Sequence, residues 1–333
     1  GWDGATAQQV AFNEGWTIWP AALDTSEAPF VRWFHGGNTN AAFNELDRQV
    51  LTSNDNNATA FISEPAYGTC ERIGQHQLLH ESVLAAMVLI DDCGLGADQR
   101  VAIYLPNDIC AVVWIEAAKR LGAPYVAVAS GTSSTSLANR LADTGAAIIV
   151  TDSSLQADAH QALQQLPSCL TALLLPPAEP VADGWLSAAA ALQRASARLL
   201  HALDSATIEA LPREQLVSTH WSFVSPLPVD ACFPLFILYT SGSTGKPKGI
   251  VHTHGGYQVG LCVTSQIVFD LQPSRDDVLL VIATPGWITG QSYMIAGALL
   301  CRAPSVLMDG SAVSPPSRFA AAIERSTVSV LKA

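Results

Sequence analysis

Strand-length apolar runs and helix-spaced apolar residues take turns along most of this chain. Between Gln75 and about Cys93, Leu78, Leu79, Val83, Ala86, Met87 and Ile90 recur at helical spacing. Arg100 to Leu105 then reads as a strand. Asp108 to Leu121 reads as a helix, with Asn107 or Asp108 as its N-cap. Pro124 to Ala129 is a strand, Ser134 to Thr144 a helix, Ala146 to Thr151 a strand, Leu155 to Leu166 a helix and Leu170 to Leu175 a strand. Strict alternation of this kind predicts a parallel sheet with helices on its faces. A proline-bearing stretch, 176–234, follows, with Leu186 to Leu203 as its best helix. Beyond it, Leu235 to Tyr239 predicts a buried strand, and His252 to His254 opens a helix to about Phe269. Asp277 to Ala283, Pro304 to Met308, Phe319 to Glu324 and Val328 to Leu331 continue the alternation. The expected fold is α/β and doubly wound, with two parallel-rich sheets and helices sandwiched between them.

One loop interrupts the pattern with chemistry. After the strand ending at Tyr239 the chain reads Thr240-Ser241-Gly242-Ser243-Thr244-Gly245-Lys246-Pro247-Lys248-Gly249. Hydroxyls, free backbone N–H groups and two lysines at close range are what a polyphosphate needs. A Walker loop requires four residues between its glycines and Ser or Thr after the lysine. Here Ser243 and Thr244 alone separate Gly242 from Gly245, and Pro247 follows Lys246. A nucleophile elbow requires G-x-S-x-G running into a helix; Ser241 holds the first glycine position and Pro247 argues against an immediate helix. The bland alternative is an ordinary Ser/Gly surface loop.

Composition narrows the class. Apolar residues make up 49% of 333 and charged residues 14%, a core-rich globular chain. The net charge of −12 disfavours nucleic-acid binding, which depends on basic surface. Seven scattered cysteines form no C-x-x-C pair and read as free thiols in a reducing cytoplasm. No signal peptide and no membrane-length apolar run is evident. His76 and His80, four apart, could share a helix face as metal ligands, but no glutamate follows His76 as a metalloprotease requires, and two exposed helix histidines is the simpler reading. Gly94-Leu95-Gly96 lacks the third glycine of a dinucleotide fingerprint. The chain starts at Gly1 without methionine and stops inside a predicted strand, which suggests a piece of a longer polypeptide.

From Thr240 to Gly249 the loop resembles, without a departure, the signature loop of the AMP-forming acyl-CoA synthetases within the adenylate-forming superfamily. Two further blocks resemble the acetyl- and propionyl-CoA synthetase branch. One is Trp33-Phe34-His35-Gly36-Gly37 with Asn40, Asn44 and Leu46-Asp47-Arg48, for which the residues themselves give an aromatic turn followed by an amphipathic helix. The other is Gly286-Trp287-Ile288-Thr289-Gly290-Gln291-Ser292-Tyr293. The resemblance implies an enzyme that uses ATP, Mg²⁺ and coenzyme A to activate a short carboxylic acid through an acyl-adenylate. It implies phosphate binding by Thr240, Ser241, Gly242, Ser243, Thr244, Gly245 and Lys246, with Lys248 assisting or orienting the loop. It implies an acyl and CoA pocket at Trp287, Ile288, Thr289, Gly290 and Gln291, where Gln291 departs from the usual histidine and, as a neutral amide, offers a donor toward a polar substrate group. Lys246 is the expected catalytic cation. His254 stands where many members carry a histidine near the adenylate, though an ordinary helix-cap polar residue fits that position equally. The family's metal-binding glutamate, ribose-binding aspartate and C-terminal lysine are expected beyond residue 333, so no metal ligand is assigned here. Its arginines for the CoA 3′-phosphate are not evident after Val150.

The implied organisation is an N-terminal extension, 1–70, packing on the core, a first α/β subdomain, 71–211, and a second, 212–333, carrying the phosphate loop. No membrane partner is expected, further domains of the same polypeptide are, and a homo-oligomer is left open. The N-terminal wording together with Gln291 is similar to the ligase portion of propionyl-CoA synthases, multifunctional enzymes acting on 3-hydroxypropionate. Two other readings stay open: an adenylation domain that loads a carrier protein, and a non-catalytic nucleotide-binding segment.

Overall fold

The computed structural model describes residues 21–52, 58–66, 68–166, 170–175, 184–202, 212–240, 247–272, 276–312 and 314–333. The N-terminal segment carries three two-residue strands, β1 (Leu23–Asp24), β2 (Arg32–Trp33) and β3 (Asn38–Thr39), then helix α1 over residues 43–52. β4 (Thr59–Glu64) and β5 (Glu71–Gly74) lead into α2 (Gln75–Asp91). The predicted alternation follows: β6 (Arg100–Tyr104), α3 (Ile109–Arg120), β7 (Tyr125–Val128), α4 (Ser134–Thr144), β8 (Ala146–Thr151), α5 (Gln156–Leu163), β9 (Thr171–Leu174), β10 (Trp185–Ser187) and α6 (Ala188–Ala202). After α7 (Arg213–Val224) come β11 (Val229–Asp230), β12 (Pro234–Thr240), β13 (Lys248–Thr253) and α8 (His254–Ile267). The chain continues with β14 (Leu279–Val281), α9 over residues 290–301, β15 (Ser305–Met308), α10 (Ser317–Arg325) and β16 (Val330–Lys332).

Seven strands form one sheet in the order β10-β9-β8-β6-β7-β12-β13, and five form a second in the order β16-β14-β15-β4-β5. Within each sheet neighbours run parallel except at one edge, where β13 and β5 are antiparallel. The side-chain period of two assigns each face. On β6, Val101 and Ile103 point into the main core with α2 and α3, while Ala102 and Tyr104 point to α4 and α5 on the other side. On the second sheet Phe61, Leu279, Val281 and Leu307 join that same main core, whereas Ile62, Leu280, Val306 and Met308 pack outward with Ala322 of α10. Helices α2 and α3 therefore lie between the two sheets. Strands covered on both faces need apolar residues at every position, which is why they read as unbroken runs.

Asp108 is the N-cap of α3, its carboxylate accepting from the Ala111 N–H at 3.0 Å, which leaves Asn107 free for another task. Gly145 closes α4 in the left-handed region, φ 58°, where a side chain would be strained.

Several elements escaped the apolar pattern. β4 and β5 lie in a stretch of weak periodicity, α7 in the proline-bearing connection, and β13 directly after Pro247. β13 is an edge strand whose Ile250 and Val251 are exposed, so its sequence carries no burial signature. Sheet membership also differs from the division at 211/212. The β12–β13 hairpin belongs to the first sheet, and the second sheet draws β4 and β5 from the N-terminal side.

The aromatic turn and helix of the N-terminal block are present, and their polar residues turn inward. Asn40 Nδ2 donates to the carbonyls of Lys119 (2.9 Å) and Leu227 (2.8 Å). Lys119 Nζ sits between Glu45 Oε2 (2.5 Å) and Glu116 Oε1 (2.7 Å), and Arg120 pairs with Asp47 Oδ2 (2.5 Å), all five side chains buried. Burial pushes Glu116 up to about 7 despite Lys119. Burial alone would lower Lys119, but Glu116 and Glu45 hold it above the ordinary lysine range. Removing one partner of such a pair strands a buried charge and costs about 3–5 kcal/mol.

His76 and His80 are buried on α2, not exposed as the sequence suggests. His220 Nδ1 donates to the Leu216 carbonyl (2.5 Å), so in the neutral ring its Nε2 accepts from His80 Nδ1 at 3.1 Å. Burial holds both rings down to about 4.

Candidate functional site at the carboxyl ends of the strands

In doubly wound sheets ligands bind outside the carboxyl ends of the strands, near a switch in strand order. Here β7 and β8 leave β6 in opposite directions, which makes the end of β6 that switch. β12 lies one strand away, beyond β7, and ends at Thr240. Thr240 is paired with Lys248 across the antiparallel β12–β13 ladder, so the ladder brackets the candidate phosphate loop on both sides. Both anchors are exposed. Gly249 sits opposite Tyr239, where a Cβ would come within 3.1 Å of Ile237. The expected phosphate ligands Ser241, Gly242, Ser243, Thr244, Gly245 and Lys246 lie outside the described residues.

The second candidate block faces this region from the other sheet. After β14 the chain turns through Thr284–Thr289 into α9. A Cβ on Gly286 would lie 2.4 Å from the backbone nitrogen of Ala129, at the carboxyl end of β7. A Cβ on Gly290 would lie 2.0 Å from the Thr284 carbonyl oxygen. Both positions therefore require glycine for close approach. Between them, Trp287 is 56% exposed and Ile288 38%. Two large apolar side chains held at a turn between strand ends are available to a ligand. Thr289 is half-buried and Gly290 buried.

A family model described as AMP-binding enzyme matches residues 46–333. The chain belongs to that family. An acetyl-coenzyme A synthetase of Mycobacterium bovis is 36% identical over 315 residues, covering 90% of this chain and 44% of the relative. One from Cupriavidus pinatubonensis is 34% identical over 312 residues, covering 92% and 45%. One from Methylobacillus flagellatus is 34% identical over 336 residues, covering 99% and 48%. The chain spans about half the length of the curated relatives it matches.

In this AMP-binding enzyme Gln291 is not a free donor. It is 1% exposed; its Oε1 accepts from Tyr125 Oη (2.6 Å) and its Nε2 donates to the Pro285 carbonyl (2.6 Å). The expectation that its amide reaches a polar substrate group is corrected: both ends are committed, and the residue pins the 284–290 turn to β7. Asn107 makes a parallel tie. Its Nδ2 donates to the carbonyls of Ala283 and Met308, each at 3.0 Å, joining the switch point of the first sheet to β14 and β15 of the second. Sequence reasoning missed Asn107 and Tyr125 as organising residues. The signal for Asn107 was a polar residue beside a cap that needed only one.

His254 is also placed differently from a catalytic residue. Its ring is fully buried, its Nδ1 accepts from the Ala41 N–H at 3.1 Å, and burial with Lys119 nearby lowers it to about 3. An imidazole neutral at ordinary pH and bonded to α1's entry packs the N-terminal segment onto α8. His252, half-buried, stacks on Phe236 with ring centroids 4.5 Å apart, and burial lowers it as well.

After β8, Asp152 Oδ1 accepts from Ser154 N, Ser154 Oγ and Leu155 N, a cap for the turn into α5. That segment presents a carboxylate and no arginine, so it offers no cation for a 3′-phosphate. Asp152 and Asp309 also face Asp108, which burial pushes up to about 6. Beneath the hairpin, Tyr239 Oη donates to Asp143 (2.5 Å) and Arg140 lies over its ring, fixing β12 one residue below Thr240. Among the described residues no helix is long and apolar enough to cross a membrane. The one group of three side chains there with metal-ligand spacing, His35, Asp230 and Cys232, does not fit Mg²⁺, which takes oxygen ligands in octahedral geometry.

Proposed function

We propose that this chain is the phosphate-gripping part of an AMP-forming acyl-CoA synthetase acting on a short carboxylic acid. The observation that supports the reading is the Thr240–Lys248 pair at the carboxyl end of β12, the two described anchors of a sequence rich in hydroxyls and lysines. The exposed Trp287 and Ile288 on the facing sheet supply an apolar wall. In this reading the loop hydroxyls, its backbone N–H groups and Lys246 hold the β- and γ-phosphates. The substrate carboxylate attacks the α-phosphorus, the bond to the β-phosphate oxygen breaks, and pyrophosphate leaves. The thiolate of CoA then displaces AMP from the acyl carbon. ATP would enter as its magnesium complex, so Mg²⁺ arrives with the substrate. Catalysis on this chain is positional and electrostatic. His254 has no part in it, being buried and neutral.

Acetate or propionate suits the reading best. The similarity to propionyl-CoA synthases leaned on Gln291, whose amide is committed to Tyr125 and Pro285, so a preference for 3-hydroxypropionate gains no support from it. The free cysteines among the described residues agree with a reducing cytoplasm.

The test is ATP–pyrophosphate exchange by the full-length protein with acetate, propionate, 3-hydroxypropionate or no acid, followed by addition of CoA or a phosphopantetheinylated carrier protein. Acid-dependent exchange with CoA thioester formation supports the proposal. Exchange followed by carrier loading alone would favour the carrier-loading alternative. ATP binding without acid-dependent exchange would reduce the chain to a nucleotide-binding segment.

A further inference from the structure

Far from the strand ends, three chemically distinct side chains converge. His35 comes from the turn after β2, Asp230 from β11, and Cys232 from the bend before β12. One ligand atom of each lies within 4.8 Å of the other two. Nearly two hundred residues separate the turn from the D-x-C pair, so no sequence motif announces the group. We infer that His35, Asp230 and Cys232 form a zinc site that staples the N-terminal segment to the strand carrying the phosphate loop.

The backbone around the group is already set. β11 pairs with β3 through Val229–Thr39 and Asp230–Asn38, and the Ala231 N–H donates to the Gly37 carbonyl at 2.8 Å. The Asp230 carboxylate accepts from the Cys232 N–H at 2.7 Å, which holds it beside the thiol. The thiol's other contact is a long one, 3.8 Å to the Trp33 carbonyl. Trp33 itself packs against the place a Cβ would take on Gly256, at the start of α8. Turn, bend and helix start thus meet around the group without a covalent link.

One imidazole, one thiolate and one carboxylate match the ligands zinc takes, at about 2.0–2.3 Å each, with a fourth position left for water. The mixture is too soft for Mg²⁺ or Ca²⁺. Binding replaces the thiol proton by the metal, so one proton is released per ion bound and no redox partner is needed. Arg32 and Asp24 both face the thiol, and Arg32 is partly neutralised by its pairs with Asp24 (3.1 Å) and Glu27 (3.2 Å). An open groove lined by Leu23, Asp24, Thr25, Ser26 and His35 leads from solvent to the imidazole. The site lies at the start of β12 and the phosphate loop at its end, roughly 20 Å away at about 3.3 Å per residue. It cross-links two distant parts of the chain and stands apart from the adenylation chemistry.

Cobalt reports the geometry, because thiolate-bound Co²⁺ gives a near-ultraviolet charge-transfer band. The full-length protein, stripped with chelator, is titrated with Co²⁺ and then with Zn²⁺ as competitor in excess Mg²⁺. One equivalent should bind with the band, and Zn²⁺ should displace it. Cys232→Ser should abolish the band, and His35→Ala should weaken binding by at least the ~10–100-fold that losing even a supporting partner costs. Absence of the band in the unmutated protein, or its persistence in Cys232→Ser, overturns the site. Unchanged affinity in His35→Ala overturns it as well, even if Cys232→Ser folds poorly.

Discussion

Gly286 and Ala129 meet backbone to backbone, with room for only a hydrogen between them. This contact fixes how closely the ends of β14 and β7 approach. Gly286→Ala must push the two strand ends apart, and overpacking of this kind costs about 1–3 kcal/mol. Gly260, exposed on α8 with nothing within 4 Å of its missing Cβ, is the control. Gly260→Ala should gain about 0.5–1 kcal/mol from helix propensity. Urea unfolding of both variants checks the pair; equal midpoints would show that Gly286 is not a close-approach position.

Gln291 satisfies two buried groups at once. Gln291→Leu leaves the Tyr125 hydroxyl and the Pro285 carbonyl without partners, at about 1–3 kcal/mol for each group stranded. Tyr125→Phe removes one end of the same bond. Because the residues touch, the double variant should cost less than the sum of the singles. Strict additivity in a double-mutant cycle would mean that the bond contributes nothing.

His254 stays neutral in the folded chain down to about pH 3, whereas an unfolded histidine takes its proton near 6.5. Its contribution is therefore complete above pH 6.5 and declines as pH falls through the window to 3, by about 1.4 kcal/mol per pH unit. His80 and His220, held near 4, act with the same sign. Asp108 and Glu116, raised to about 6 and about 7, act with the opposite sign because the folded state keeps their protons. The difference between proteins isolates the histidine. In His254→Asn the amide oxygen can still accept from Ala41, and the decline between pH 6.5 and 4.5 should be shallower. Parallel pH profiles would refute the buried neutral ring.

Lys246 is proposed to contact phosphate. A charge-assisted hydrogen bond is worth about 1.5–3 kcal/mol. Lys246→Ala should therefore lower adenylation efficiency on the order of 10- to 100-fold at subsaturating ATP. Pyrophosphate exchange measures it, and an unchanged rate removes Lys246 from the site.

Trp287 should separate stability from selectivity. Being more than half exposed, its replacement by glycine should cost little in unfolding midpoint. Loss of a large wall should let longer acids compete with propionate. Octanoate used as well as propionate by the unmutated protein would remove Trp287 from the acyl pocket.

The alternation of apolar runs made the first sheet and its helices legible almost residue by residue, because strands buried on both faces leave no other pattern. The loop was legible by composition, since few functions need hydroxyls, glycines and lysines in one turn. What stayed hidden depends on partners distant in sequence. β13 could not be told from loop because half its surface faces solvent. Asn40, Asn44 and Asp47 read as an ordinary helix face, and it is the carbonyls of Lys119 and Leu227, the Gln258 amide oxygen and the Arg120 guanidinium that account for their burial. For Gln291 the residue type suggested a substrate donor, while the Tyr125 hydroxyl on another strand decided its use.

The sharing of the second sheet between distant parts of the chain bears on the order of assembly. Every strand of the first sheet has been synthesised once Thr253 is made. β4, by contrast, pairs with β15, whose register runs from Phe61–Ser305 to Glu64–Met308. Closing so long a loop carries a large entropic cost before any contact rewards it. During synthesis the β4–β5 hairpin must wait with the other edge of β4 unpaired while the first sheet folds, and that waiting edge is a part of the nascent chain exposed to a chaperone or to aggregation.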